Sequence, residues 1–189
     1  MMGYRETVGE MNTLRMRMLE MRREIRALQE TIEPEEVSDY AFQTGSGKTT
    51  LSALFGDKNT LFVVHNMGKS CAYCTQWADG LNGVLSHLKD RAAFVISSPD
   101  LPDKQKAFAA SRGWEFEMVS HNGSTFAQDM GYRTDDGFMP GVSVFRKDGA
   151  RILRVSDTQF GPGDDFNAVW NLFDMIPEGP DGWQPKFAY

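Results

Sequence analysis

Several features that define other protein classes are scarce or missing in this sequence. Only two of its 189 residues are cysteine, which excludes a scaffold held by several disulfides. The net charge is −6, so the chain lacks the basic excess of nucleic-acid-binding proteins and offers little to an anionic membrane surface. No apolar run approaches the roughly 18 residues of a membrane-spanning helix. These absences favour a globular protein without a nucleic-acid or membrane partner.

The N-terminus also lacks the order of basic and then apolar residues that marks a secretory signal. We therefore expect a cytoplasmic protein, in a compartment where thiols are kept reduced. There, two cysteines three residues apart are more often catalytic or metal-binding than structural.

The N-terminal segment carries apolar residues at spacings of three and four. They are Met11, Leu14, Met18, Met21, Ile25, Leu28 and Ile32. This heptad pattern predicts an amphipathic helix from about Met11 to Thr31, which fits either packing on its own domain or a homodimer. We assign residues 1–38 to this helix and a linker, residues 39–177 to the main domain, and residues 178–189 to an irregular tail.

From Leu51 onward, strand patterns alternate with helix patterns. We predict buried strands at Leu61–His65 and Ala92–Ile96, and helices at Cys71–Leu88 and Pro102–Arg112. A strand at Trp114–Val119, a hairpin around Asp148-Gly149 and a last helix from about Asp164 to Ile176 follow. This order predicts an α/β domain.

Cys71 and Cys74 stand where a buried strand passes into a helix. Residues i and i+3 of a first helical turn have Cα atoms about 5–6 Å apart, within disulfide reach. The positive end of the helix dipole stabilises a thiolate there, and Lys69 and a cap at Ser70 would add to this effect. Cys74 continues the apolar stripe of the helix, so we expect a shielded resolving thiol at Cys74 and an exposed nucleophile at Cys71.

Other interpretations of the pair stay open. Two structural core cysteines would show the same spacing. A zinc site would need further ligands, and only three histidines are available, so we expect no metal. The run Gly45–Thr50 resembles the end of a phosphate-binding loop, but Phe42 stands where the motif requires glycine, which disfavours a nucleotide site.

Two ionisable residues near the pair are candidates for tuning the thiols. His65 ends the strand that leads to Cys71, and Asp79 lies five residues after Cys74 in a largely apolar stripe. A hydrogen-bonded core histidine and a solvated aspartate are the alternative interpretations.

Beyond the cysteine pair, a proline stands at the start of the predicted hairpin. Pro140 leads directly into the first hairpin strand, where a missing backbone N–H is tolerated. A cysteine pair after a buried strand, a proline opening the next hairpin, and Lys147-Asp148-Gly149 at its turn together resemble thioredoxin.

A closer resemblance is to the thioredoxin-like family catalogued as domain of unknown function eight-nine-nine. The residues that carry it are Leu54-Phe55-Gly56, His65-Asn66-Met67, the cysteine pair, Trp77-Ala78-Asp79 and the closing Asn171-Leu172-Phe173-Asp174-Met175-Ile176-Pro177. The N-terminal helix fits as well, so the resemblance spans roughly Leu14 to Tyr189.

The resemblance implies a thioredoxin-like fold, with a central mixed sheet flanked by helices, and a dithiol–disulfide oxidoreductase. It also implies that Met139 and Pro140 line a substrate groove, because they hold the place where thioredoxin has a cis-proline and the residue before it facing the thiols; whether Pro140 is itself cis is left open. Trp77 is a further candidate for modulating the thiols. The sequence departs from thioredoxin at Ser70 and Tyr73, where tryptophan and proline are usual. Because those neighbours help set the redox potential, the direction of electron flow is left open.

Three hypotheses for function follow. In the first, the protein is a thiol–disulfide oxidoreductase that needs no metal or organic cofactor, acts on a protein or small-molecule disulfide, and is recycled by an external reductant. In the second, it is a peroxiredoxin-like peroxidase in which Cys71 becomes a sulfenic acid, although the Pro-and-Thr peroxiredoxin signature is absent from His65–Ser70. In the third, it is a non-catalytic interaction module with an ordinary thiol pKa at Cys71.

Overall fold

The computed structural model describes residues 3–189. The chain divides into two compact units, one ending at Pro34 and the other running from Glu35 to Tyr189. The first unit contains helix α1 (Tyr4–Gln29), which buries none of its side chains. It begins earlier than the predicted start near Met11, although Thr7, Val8 and Gly9 have weak helix propensity, and it ends at Gln29 rather than Thr31.

Ten strands are described in the second unit. They are β1 (Glu35–Val37), β2 (Ala41–Thr44), β3 (Gly47–Thr50), β4 (Thr60–His65), β5 (Ala93–Ser98), β6 (Glu117–Ser120), β7 (Arg133–Thr134), β8 (Gly137–Phe138), β9 (Gly141–Asp148) and β10 (Arg151–Gln159). Eight of them form one sheet in the order β1-β10-β9-β4-β5-β6-β2-β3, while β7 and β8 pair separately.

Helices accompany the sheet. They are a 3-10 turn (Ala53–Phe55), α2 (Ala72–Gly83), α3 (Leu85–Arg91), α4 (Pro102–Arg112), α5 (Phe126–Asp129) and α6 (Ala168–Phe173). The tail after Pro177 has no helix or strand, but Trp183 packs on Phe173 with ring centroids 4.9 Å apart.

The centre of the sheet is parallel. β5 pairs in parallel with β4 and with β6, whereas β9 runs antiparallel to β4. Alternate side chains of β4 enter two different cores, as strand geometry requires. Val63 packs with Val95 and Phe145 on one face, and Val64 packs with Ile96 and Cys74 on the other.

The predicted helix from Cys71 to Leu88 is broken in two. Val84, with φ −116° and ψ 12°, separates α2 from α3 after a stretch containing Gly80, Asn82 and Gly83. These residues have weak helix propensity, so apolar spacing alone does not keep the helix continuous.

The last predicted helix is shorter than expected. The Asn167 side chain accepts a hydrogen bond from Val169 N at 3.1 Å and caps α6, and the Asp164 side chain organises a turn before it. The segment from Thr31 to Gly47, whose composition predicts a linker with a short edge strand at Tyr40–Gln43, contains β1, β2 and the start of β3, so the predicted strand is present as β2. The Gly45–Thr50 run forms the turn and second strand of the β2–β3 hairpin, without a following long helix.

Candidate functional site

The loop between β4 and α2 is held by one polar side chain of its own and by one from the loop after β5. The side chain of Asn66 accepts a hydrogen bond from Gly68 N at 2.8 Å, and the carboxylate of Asp100 accepts one from Lys69 N at 2.7 Å. Gly68 has φ +106°, and a Cβ atom there would lie 3.0 Å from the Asp100 carboxylate. Glycine is therefore required for the path that leads to the cysteines.

Cys71 is the N-cap residue of α2. Its backbone is extended, and its Sγ accepts a hydrogen bond from Cys74 N at 3.0 Å. A sulfur in this position takes the place of the Ser or Asp oxygen that usually caps a helix. Because free N–H groups and the helix dipole favour negative charge there, the position stabilises a thiolate.

Cys74 lies one turn deeper in the helix. It is 3% exposed, and its Sγ accepts a weak hydrogen bond from Met67 N at 3.5 Å. Cys71 is half-buried, and both thiols are free. The arrangement therefore gives one accessible sulfur and one shielded sulfur, as the sequence predicts.

The two thiols shift each other's pKa in opposite directions. A hydrogen bond from the Cys74 thiol, helped by backbone hydrogen bonds and opposed by partial burial, lowers the pKa of Cys71 to about 7. The same hydrogen bond, together with burial and the charge of Cys71, raises the pKa of Cys74. Near neutral pH, the pair therefore holds its negative charge on Cys71.

Trp77 lies one turn after Cys74, in the same core cluster. Its indole N–H donates to Asp164 Oδ1 at 3.3 Å, and its ring packs on Phe160 with centroids 5.4 Å apart. The tryptophan thereby joins α2 to the loop after β10.

Asp79 has partners other than the thiols. It forms an ion pair with Arg112 at the end of α4 and accepts a hydrogen bond from Trp114 Nε1 at 2.8 Å. The structure therefore does not place Asp79 as a proton acceptor beside the cysteines; its side chain is ion-paired and 37% exposed, which agrees with a partly solvated aspartate. Periodicity could not reveal this ion pair because Arg112 and Trp114 are distant in the sequence.

His65 lies on the face of the sheet opposite Cys74. Its Nε2 and Ser143 Oγ share a hydrogen bond of 2.9 Å, and its ring stacks on Tyr132 with centroids 3.7 Å apart. Burial lowers its pKa well below the ordinary histidine value. It is therefore a neutral core histidine, and no described contact joins it to the thiols.

Lys69 and Ser70 are both exposed. Lys69 contributes only its backbone N–H, which donates to the Asp100 carboxylate. Helix α2 begins one residue later than a cap at Ser70 would require, so Cys71 is the capping residue.

Met139 and Pro140 follow β8. Met139 packs against the core cluster on the His65 face, and Pro140 O accepts a hydrogen bond from Phe160 N at 2.9 Å. The described chain contains no cis peptide bond, so the bond before Pro140 is trans, unlike the one that the thioredoxin resemblance implies. The groove role of these two residues stays a prediction.

Sequence analysis missed Asn66, Gly68 and Asp100. An Asn-x-Gly run directly after a buried strand is a turn signal that could have identified the first two. Asp100 had no such signal, because its partner loop follows a different strand. Within residues 3–189, no group of three or more potential metal ligands is present, and no helix is long and apolar enough to cross a membrane.

Several solved structures with similar folds are peroxiredoxins. Peroxiredoxin Q of Xanthomonas campestris has a TM-score of 0.57 and 18% identity, covering 72% of this chain and 90% of its own. PrxQ of Xylella fastidiosa has a TM-score of 0.58 and 14% identity, covering 67% of this chain and 84% of its own. Peroxidoxin BcpB of Mycobacterium tuberculosis has a TM-score of 0.54 and 20% identity, covering 71% of this chain and 88% of its own.

These similarities confirm a thioredoxin-like α/β fold, with a central mixed sheet flanked by helices and preceded by the N-terminal helix α1. No curated protein sequence matches this chain. A family model described as "Bacterial protein of unknown function (DUF899)" matches residues 10–186. The chain therefore belongs to the DUF899 family, as its sequence motifs predict.

Proposed function

We propose that this protein is a thiol–disulfide oxidoreductase in which Cys71 is the nucleophile and Cys74 the resolving thiol. The observation that carries the proposal is the Cys71 sulfur at the N-cap of α2, where it accepts the Cys74 N–H at 3.0 Å. A sulfur held in this way is a thiolate for much of the time at neutral pH, and the thiolate is the reactive form.

In the first step, the Cys71 thiolate attacks one sulfur of a substrate disulfide. A new S–S bond forms to Cys71, the substrate S–S bond breaks, and the leaving thiolate takes up a proton. Cys74 stays protonated before this step, because the neighbouring Cys71 charge and hydrogen bond raise its pKa. Once Cys71 is in the mixed disulfide, both of those effects are gone.

In the second step, Cys74 loses its proton and attacks Cys71 Sγ. The second substrate thiol leaves, and the protein holds a Cys71–Cys74 disulfide after giving two electrons to the substrate. An external reductant must return those electrons, and the reverse sequence would oxidise a substrate dithiol. Neither step calls for a metal or organic cofactor, and both suit the reducing cytoplasm.

The structural similarity to peroxiredoxins supports a second candidate, a thiol peroxidase. Here Cys71 would attack a peroxide oxygen, become a sulfenic acid and release water or an alcohol. Cys74 would then form the disulfide and release water. The missing Pro-and-Thr signature before Cys71 favours the oxidoreductase.

Two single substitutions test the oxidoreductase. We expect Cys71→Ser to lower the rate of disulfide reduction on the order of a thousandfold or more, because it removes the attacking sulfur. Cys74→Ser should instead accumulate a mixed disulfide at Cys71, which mass spectrometry would detect. Ser111→Ala, an exposed change on α4, is the matched control and should keep the full rate.

Equal activity of Cys71→Ser and the unchanged protein would refute the proposal. Consumption of peroxide much faster than reduction of disulfides, with the same dependence on Cys71, would instead select the peroxidase.

A further inference from the structure

A cavity of about 280 Å³ lies at the carboxyl end of the parallel strands and is separate from the cysteine pair. It is lined by residues that follow β5 and β6, among them Pro99 and His121, and by Arg133 of β7 and Phe138 of β8. In open α/β sheets, ligands bind outside the carboxyl ends of the strands. Its position is therefore that of a ligand site, and nothing in the redox proposal uses it.

His121 is the buried polar residue of this cavity. It is 4% exposed, and its Nδ1 shares a hydrogen bond of 2.8 Å with Ser97 Oγ. Its Nε2 is buried and has no partner among residues 3–189. An unpaired buried polar atom destabilises the free protein, so a ligand that pairs with His121 Nε2 supplies a hydrogen bond that the free protein lacks.

Arg133 supplies a positive charge at the same cavity. Its guanidinium lies over the ring of Phe138, 5.3 Å from the centroid, and Phe138 also contacts the ring of His121. In the part of the chain that the structure describes, no carboxylate forms an ion pair with Arg133. A guanidinium stacked on an aromatic ring keeps its N–H edges available for a carboxylate.

The charge of the lining selects the ligand class. Burial and the nearby charge of Arg133 lower the pKa of His121 to about 4, so at neutral pH the imidazole is uncharged. Arg133 is then the single cation of the lining. One cation, one neutral hydrogen-bonding nitrogen and an aromatic wall suit a monoanion with a flat apolar body better than a phosphate dianion.

We propose that this cavity binds a small organic carboxylate, with Arg133 pairing its oxygens, His121 Nε2 donating a hydrogen bond to it and Phe138 covering its apolar part. The Nδ1 of His121 then accepts from the Ser97 hydroxyl, which leaves the proton on Nε2. The loop after β5, which lines the cavity at Pro99, also fixes the segment that leads to Cys71. Asp100, the residue after Pro99, accepts a hydrogen bond from Lys69 N in that segment. The site itself does not depend on the redox proposal.

The test is an NMR titration of the histidine ring nitrogens in the full chain. Benzoate serves as the carboxylate, benzamide as its uncharged analogue, and inorganic phosphate as the other anion. We expect a saturable shift of the His121 nitrogens with benzoate, and binding at least about tenfold weaker for benzamide and for phosphate. Bound benzoate should also raise the pKa of His121, since it places a negative charge beside Arg133.

Arg133→Gln should weaken benzoate binding at least about tenfold, because it removes the paired charge while changing an exposed side chain. Arg91→Gln, at the opposite end of β5, is the matched control and should bind like the unchanged protein. The proposal is overturned if no saturable shift occurs at His121, if benzamide or phosphate binds as tightly as benzoate, or if Arg133→Gln has no effect.

Discussion

Gly141, the first residue of β9, has no room for a side chain. A Cβ atom there would overlap the ring of Tyr132 and the backbone oxygen of Thr158. Tyr132 is fixed in turn, since its hydroxyl donates to Thr158 O at 2.9 Å and its ring stacks on His65. The glycine after Pro140 is therefore a packing requirement at the start of the strand.

We expect Gly141→Ala to lower the free energy of unfolding by about 1–3 kcal/mol, as overpacking of a close-packed core typically does. Urea denaturation would measure the loss. Gly45→Ala, in the β2–β3 turn with no atom near the added methyl group, is the matched control. A Gly141→Ala protein as stable as the control would show that Tyr132 can move aside without cost.

At the scale of single residues, the sequence predicts the cysteine pair and its asymmetry, because both follow from local spacing. It does not predict the partners of His65 and Asp79, which come from distant segments: Ser143 for the first and Arg112 for the second. Asp100 is not predictable for the same reason, because its contact with the cysteine loop forms only when β4 and β5 lie side by side in the sheet.

At the scale of elements, helix α1 keeps its heptad stripe exposed. The six stripe residues within α1, from Met11 to Leu28, are between 40% and 68% exposed, and Ile32, which follows the helix, is 48% exposed. Exposed apolar side chains in a heptad register are typical of a helix that pairs with a second copy. We therefore keep the proposal that the protein forms a homodimer through α1.

Light scattering on the eluting protein tests the dimer. We expect twice the monomer mass for the unchanged chain, and the monomer mass for the double variant Met18→Glu with Ile25→Glu, because buried charges at the seam oppose pairing. Arg23→Glu, on the opposite face of α1, should stay dimeric. A monomeric unchanged chain, or a double variant that is still dimeric, would contradict the proposal.

The boundaries of the elements were predictable where a capping residue or a long apolar run marks them. Helix α4 has the predicted bounds, since Pro102 opens it and Gly113, with φ +67°, ends it. A short strand at Tyr40–Gln43 is predicted and corresponds to β2, but its hairpin partner β3 was not predicted, because that short strand carries little apolar periodicity. β6 begins at Glu117 rather than Trp114, because Trp114 N bonds to Ala109 O and closes α4.

At the scale of the whole second unit, three loops lie at the carboxyl ends of the parallel strands. The loops after β4, β5 and β6 carry Cys71, Asp100 and His121, because parallel neighbours end on the same side. The α/β alternation predicts this arrangement in outline. The thiol pair and the proposed carboxylate cavity are both consequences of it.

The fold activates the Cys71 thiol, and the pH dependence of its alkylation measures this activation. The reduced protein would be treated with iodoacetamide over a range of pH, and modification at Cys71 and Cys74 followed by peptide mass. Because folding lowers the pKa of Cys71, its thiolate fraction and its alkylation rate should rise at a lower pH than those of an ordinary cysteine. Cys74→Ala should move the midpoint upward, because the thiol hydrogen bond is the largest cause of the lowered pKa.

The proposed activation of Cys71 predicts an alkylation midpoint of about 7 for this residue, with Cys74 unmodified over the same pH range. The same protein unfolded in guanidinium should give the ordinary cysteine value of about 8.5 at both positions. A folded-state midpoint at or above that ordinary value, or equal modification of the two cysteines, would contradict it.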